Sequence, residues 1–124
     1  MARYLDSASL KTNLRLGKSV EQWLPHQQLP DYTVLRYIVI TGQDDDAYDV
    51  AYIESFDDGD ENFFDVYSFS TLDPDEPGGV VNTFESVADA IEFAVNTYQA
   101  SPDKFVNQGT IQEEYLDYLK TRNR

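Results

Sequence analysis

The groups in this sequence with most scope for chemistry are its 23 Asp and Glu side chains, and they come in clusters. "GQDDDAYD" carries Asp44, Asp45 and Asp46. "ESFDDGDENFF", residues 54–64, holds five acids around Gly59, and "LDPDEPGG" carries Asp73, Asp75 and Glu76. Grouped carboxylates serve three purposes: they ligate hard cations, they act as a general acid and base, or they face a basic partner. The calcium reading of residues 54–64 is testable by spacing. An EF-hand loop needs oxygen ligands at positions 1, 3, 5 and 12 with glycine at 6. Placing Gly59 at 6 puts Glu54 at 1, Phe56 at 3, Asp58 at 5 and Asp65 at 12, and phenylalanine has no oxygen to give. The stretch reads instead as a hairpin tip, because Asp and Gly suit the backbone angles of tight turns.

The other two clusters matter more if the strands between them run as expected. "TVLRYIVIT", "AYDVAYIESF" and "NFFDVYSFST" are rich in β-branched and aromatic residues and are separated by polar turns, the pattern of an antiparallel meander. Successive turns of a meander fall at opposite ends, so Asp73, Asp75 and Glu76 are expected to return to the end that holds Asp44, Asp45 and Asp46. Six carboxylates there make a candidate divalent-cation site or a docking patch.

The charge distribution favours docking. The net charge is −14, yet residues 1–36 and 104–124 are each slightly basic. Residues 37–103 hold 17 acids and no Lys or Arg. Such a field repels phosphate backbones and anionic membranes and attracts basic proteins. Direct nucleic-acid binding is therefore not expected. Eleven of the 17 aromatic residues fall in the same block. Its strands carry large apolar groups on both parities, so some of Tyr37, Tyr52, Phe64 and Tyr67 are expected among the acids on an open sheet face, as anchors inside a charged rim, with the alternative that the N-terminal segment covers that face.

Enzyme signatures are negative. His26 is the one histidine, it sits in the loop-like "LPHQQLP", and no P-loop, G-x-G-x-x-G or G-x-S-x-G is present. Carboxylate pairs at glycosidase-like separations will arise in any chain this acidic, so they do not single out a site. No cofactor is expected. The absence of cysteine excludes disulfides and thiolate chemistry. No apolar run is long enough for a membrane span, and the N-terminus lacks the apolar core of a signal peptide, which points to a cytoplasmic protein.

The elements that must position these residues make one domain, residues 1–124, of α+β class: an antiparallel β-meander of four to five strands with C-terminal helices packed on one face. Leu10, Thr12, Leu14 and Leu16 alternate with polar residues, which reads as a strand over residues 10–16, with a helix through Leu10 and Leu14 as the alternative. "SVEQWLP" reads as a short helix capped by Ser19 and Gln22, and "VVNTF" as a short strand. "SVADAIEFAVNTYQ" and "TIQEEYLDYLK" are amphipathic helices, and "SPDKFV" reads as a single helical turn. The leading functional expectation is a non-catalytic acidic module that binds a basic protein. One form of it is an inhibitor, immunity-like or nucleic-acid-mimic protein that blocks a basic nuclease or DNA-binding protein. A divalent-cation-binding protein and a carboxylate enzyme are the other classes, beside acidity that merely keeps the domain in solution.

Overall fold

The computed structural model describes residues 4–43, 47–73, 75 and 79–122. Its centre is β2 (Thr33–Gly42), a strand buried on both faces. It pairs antiparallel with β1 (Ser19–Gln28) on one side and β3 (Tyr48–Phe56) on the other. β4 (Val80–Phe84) follows β3, and the two-residue β5 (Val106–Asn107) pairs with β1, giving the order β4-β3-β2-β1-β5. The expected α+β architecture, an antiparallel meander with helices, is the fold of this chain.

Side chains of β2 divide by parity between two cores. Ile38 and Ile40 join Val20, Leu24, Val50 and Phe105 on one face. Leu35 and Tyr37 join Val66, Phe69 and Val106 on the other. Helices α1 (Ser7–Arg15) and α2 (Val87–Tyr98) cover the first face through Leu10, Leu14, Ala90 and Ala94. Helix α3 (Ile111–Arg122) covers the second with Ile111, Tyr115, Tyr118 and Leu119, the four residues its sequence periodicity marks. The two C-terminal helices thus take one face each, so neither face of the sheet is open.

Four segments differ from the sequence reading. Residues 10–15 are helical, not extended, and Leu16 is the C-cap of that helix. Asp6 caps α1 by accepting from the Ser9 N–H at 2.7 Å, and Leu10 and Leu14 point inward one turn apart. Leu16, which completed the apparent alternation, is exposed. Residues 19–25 belong to β1, not to a helix. Val20 and Leu24 fill the core, and Pro25 falls at the register shift between Leu24 and Gln27, where the ladder is interrupted and proline is tolerated. Residues 62–71 do not form a third full strand. Asp60 closes a turn on the N–H groups of Asn62 and Phe63. Asp65 then caps a single 3₁₀ turn at Val66–Ser68 that sinks Val66 and Phe69 into the second core. Only the end of this segment pairs with β3: Phe56 N–H donates to Ser70 O at 2.8 Å, and Leu72 N–H to Glu54 O at 3.1 Å. The expected helical turn over 101–106 is a turn leading directly into β5.

This third difference moves the acidic clusters. With Leu72 bonded to Glu54 and Val80 opposite Tyr52, the segment carrying Asp73 and Asp75 leaves β3 at the level of Ile53. The β2–β3 hairpin closes beyond Tyr48, where Gln43 N–H donates to Ala47 O at 2.7 Å. Five residues of strand, about 17 Å, separate the two levels. The six-carboxylate gathering rested on a strand that does not form. Asp44, Asp45, Asp46 and Glu76 themselves lie outside the described residues.

Candidate interaction surface

The break between the two pieces of chain that follow β3's outer edge leaves a groove of about 210 Å³. Tyr52, Ile53 and Glu54 form one wall, Thr71, Leu72 and Asp73 another, and Gly79 and Val80 the third. The chain can re-enter the sheet here because residue 79 is glycine. Its φ is +78°, in the left-handed region, and a Cβ would press against the Tyr52 carbonyl oxygen and 2.7 Å from Ile53 Cγ1. Gly79→Ala is therefore expected to destabilise the protein by about 1–3 kcal/mol and to disorder the start of β4. Denaturant unfolding and the β4 amide resonances check this, and a stability within about 0.5 kcal/mol of wild type would contradict it.

The groove has a polar frame built from three side chains of equal parity. Arg36 Nε donates to Tyr52 Oη at 2.8 Å, and the Tyr52 hydroxyl donates to Glu54 Oε2 at 2.8 Å. Arg36 Nη1 also reaches Pro25 O at 3.3 Å, and its guanidinium carbon sits 5.6 Å from the Tyr52 ring centroid. Tyr98 of α2 stacks on Tyr52 with centroids 4.2 Å apart and planes within 5°. Burial raises the pKa of the Tyr52 hydroxyl, and that of Tyr98 likewise, so both stay neutral donors at ordinary pH. Glu54 is thereby aimed from a rigid support. Asp73 and Asp75 are exposed just beyond it, with Asp73 Oδ1 accepting from the Asp75 N–H at 2.9 Å.

Next to the groove runs the free edge of the sheet. Val80 and Val81 are 47% and 53% exposed, the most open pair of large apolar neighbours among the described residues, and no described strand pairs beyond β4. The sequence predicted a strand here, but exposure of its valines depends on the strand order and was not legible.

The remaining expected binding residues are distributed differently. Tyr52 lies under Tyr98, not on an open face. Phe64 and Tyr67 lie in the irregular segment after β3, each with a ring about two-fifths exposed. The Tyr67 hydroxyl points inward to Glu21, and its ring meets Tyr37 edge-on at 6.3 Å. The structure joins Tyr52 with Asp73 at the groove and leaves Tyr67 on the opposite face.

The sequence matches no protein-family model, and no curated protein or solved structure shows significant similarity to it. Among the described residues no three His, Asp or Glu side chains gather in a way that could hold a metal ion. None of the described helices is long and apolar enough to cross a membrane.

Two buried carboxylates went unrecognised in the sequence. Asp57, in the acidic stretch of residues 54–64, accepts from Tyr115 Oη at 2.6 Å, Tyr118 Oη at 2.9 Å and Arg122 Nη1 at 2.9 Å. Its oxygens are taken up in tying the post-β3 loop to α3. Burial, and then Asp57 itself, pushes the Tyr118 hydroxyl to about 12 and Tyr115 upward as well. Glu21, fully buried on β1, accepts from the Tyr67 hydroxyl and from Gly109 N–H at 2.8 Å. Burial raises its pKa, opposed by those hydrogen bonds, while burial and the nearby Glu21 charge push Tyr37 to about 12. Both carboxylates hold structure together and neither opens onto the groove. The spacing of Tyr115, Tyr118 and Arg122 along one face of α3 was the available signal for the first; the second had none.

Proposed function

We propose that this chain is a small non-catalytic interaction module, acting in the cytoplasm, that binds a basic protein at the acidic edge of its sheet. The observation that carries this reading is the juxtaposition at one edge of two exposed valines with Glu54, Asp73 and Asp75. Apolar contact area inside a charged rim is the usual composition of a protein-binding patch. The absence of any Lys or Arg from residues 37–103 leaves that rim acidic apart from Arg36, whose guanidinium is held by the Tyr52 hydroxyl and Pro25 O. The groove itself is shallow, and the carboxylates buried elsewhere are occupied by donors, which favours surface recognition over catalysis.

Charge supplies the rate of encounter and the valines the contact, so binding should weaken with salt without vanishing at once. The test is retention of basic proteins by the immobilised chain, compared with the Glu54→Gln, Asp73→Asn, Asp75→Asn triple variant. Association with wild type is expected to slow roughly tenfold between about 0.05 M and 0.3 M salt, and the triple variant is expected to lose most of that dependence. Binding indifferent both to salt and to the three substitutions would reject the reading.

A further inference from the structure

Hydrogen-bond alternation fixes which backbone groups β4 leaves unpaired. Phe56 N–H and Glu54 C=O both bond to the segment at Ser70–Leu72, so residues 54 and 56 of β3 point their backbone groups toward that outer edge. Along a strand these directions alternate, so Tyr52, Val50 and Tyr48 point the same way. Their partners are Val80, Asn82 and Phe84. The N–H and C=O groups of Val81 and Thr83 therefore face away from the sheet, two donors and two acceptors in a row.

Sheet edges of this kind are usually blunted by a lysine, a proline or a bulge. β4 reads "VVNTF" and has none of these. At the opposite edge Val20 and Glu21 pair with β5, and the Gln22 side chain clamps Ser101, accepting from its N–H at 2.7 Å and donating to its C=O at 2.8 Å. The start of that edge is thus covered, whereas β4 has no described strand beyond it, carries no charge of its own beside the neighbouring acids, and shows exposed valines on both faces of the sheet.

Resting on the reading above that the partner is basic, we propose that β4 is a strand-addition site, at which an extended basic segment of another protein joins the sheet as a sixth strand. Its main chain pairs with Val81 and Thr83. Its apolar side chains cover Val80 and Val81, and its lysines or arginines reach Glu54, Asp73, Asp75 and Glu85. A second copy of this chain could present the same edge, but it would bring a net charge of −14 against −14, and electrostatics selects the basic partner.

The test uses two synthetic peptides of equal charge: one alternating lysine and valine, and one with prolines in place of half the valines, which cannot form a ladder. The alternating peptide is expected to bind and to slow amide exchange at Val81 and Thr83, and the proline peptide to bind at least about tenfold more weakly. Val81→Pro removes one outward donor and leaves the bonds of Val80 and Asn82 to β3 in place. It is expected to weaken the alternating peptide roughly tenfold while the circular dichroism and melting of the free protein stay near wild type. If the variant unfolds, exchange protection in the wild-type complex decides alone. Equal binding of both peptides, without protection at Val81 and Thr83, overturns strand addition and leaves the basic-partner reading standing. Binding of neither overturns both. Protection of the same amides by self-association without peptide overturns the choice of occupant.

Discussion

Asp57→Ala is expected to destabilise the protein by about 3 kcal/mol, more than substitution of any of the other carboxylates in residues 54–64. The side chain is 8% exposed and gathers three donors from α3. Removing it strands the hydroxyl of the fully buried Tyr115 and that of Tyr118, each an unsatisfied polar group worth about 1–3 kcal/mol. Arg122 adds less, because its side chain is one-third exposed and water can replace the carboxylate. The comparison that checks the assignment is therefore Arg122→Ala, expected to cost no more than about 1 kcal/mol. Urea unfolding of both variants measures the difference. If the two cost the same, the ion pair dominates and the tyrosine hydroxyls contribute little.

Glu21→Ala carries the second large effect, about 2–4 kcal/mol, since it empties a fully buried position and leaves the Tyr67 hydroxyl without its acceptor, while the Gly109 N–H keeps the Tyr67 oxygen at 2.9 Å. Glu21→Gln keeps an acceptor and separates the charge from the hydrogen bonds. Burial lifts the folded-state pKa of Glu21 above its ordinary value of 4.5. The folded protein thus holds this proton to higher pH than the unfolded chain does. The contribution to stability is complete below about 4.5 and is lost as pH rises through the raised folded value. Other acids and the whole acidic field also titrate here, so the informative quantity is the wild-type stability minus that of Glu21→Gln. It is expected to fall as pH rises from about 4.5 toward neutrality. A difference that stays flat over that range would show that Glu21 is no harder to ionise in the fold than outside it.

How far the sequence could be read depends on which force decided each segment. β2, β3, α2 and α3 follow from periodicity because the side chains that set the pattern are those that enter the cores, as Ala90 and Ala94 or Tyr115 and Leu119 do. Residues 10–16 fit a strand pattern better than a helix pattern until Leu16 is known to face water, which tertiary packing alone decides. Ser19 and Gln22 imitate a capping box, yet Ser19 bonds to Thr41 across the sheet at 2.8 Å and Gln22 to Ser101. Local chemistry was legible there, and its partner was not. The aromatic run of residues 63–69 reads as a strand because aromatics favour sheets, but Asp60 and Asp65 turn the backbone before a ladder forms. That single error carried Asp73 and Asp75 to the wrong end of the sheet. At the candidate surface, Tyr52 and Asp73 were legible as residues, and the groove and free edge that join them were not, since both follow from the strand order.

The division of the core has a consequence for cooperativity. One layer of sheet separates two apolar compartments, and β2 is the wall they share, with Ile38 and Ile40 on one side and Leu35 and Tyr37 on the other. Each compartment has its own cover, α1 and α2 for one and α3 with the loop pinned by Asp57 for the other. Detaching α3 bares one side of β2 while the other side keeps its packing. The molecule therefore has a route to a half-open state whose newly exposed wall is apolar, and the three bonds to Asp57 help the burial of Ile111, Tyr115 and Leu119 to hold that route closed.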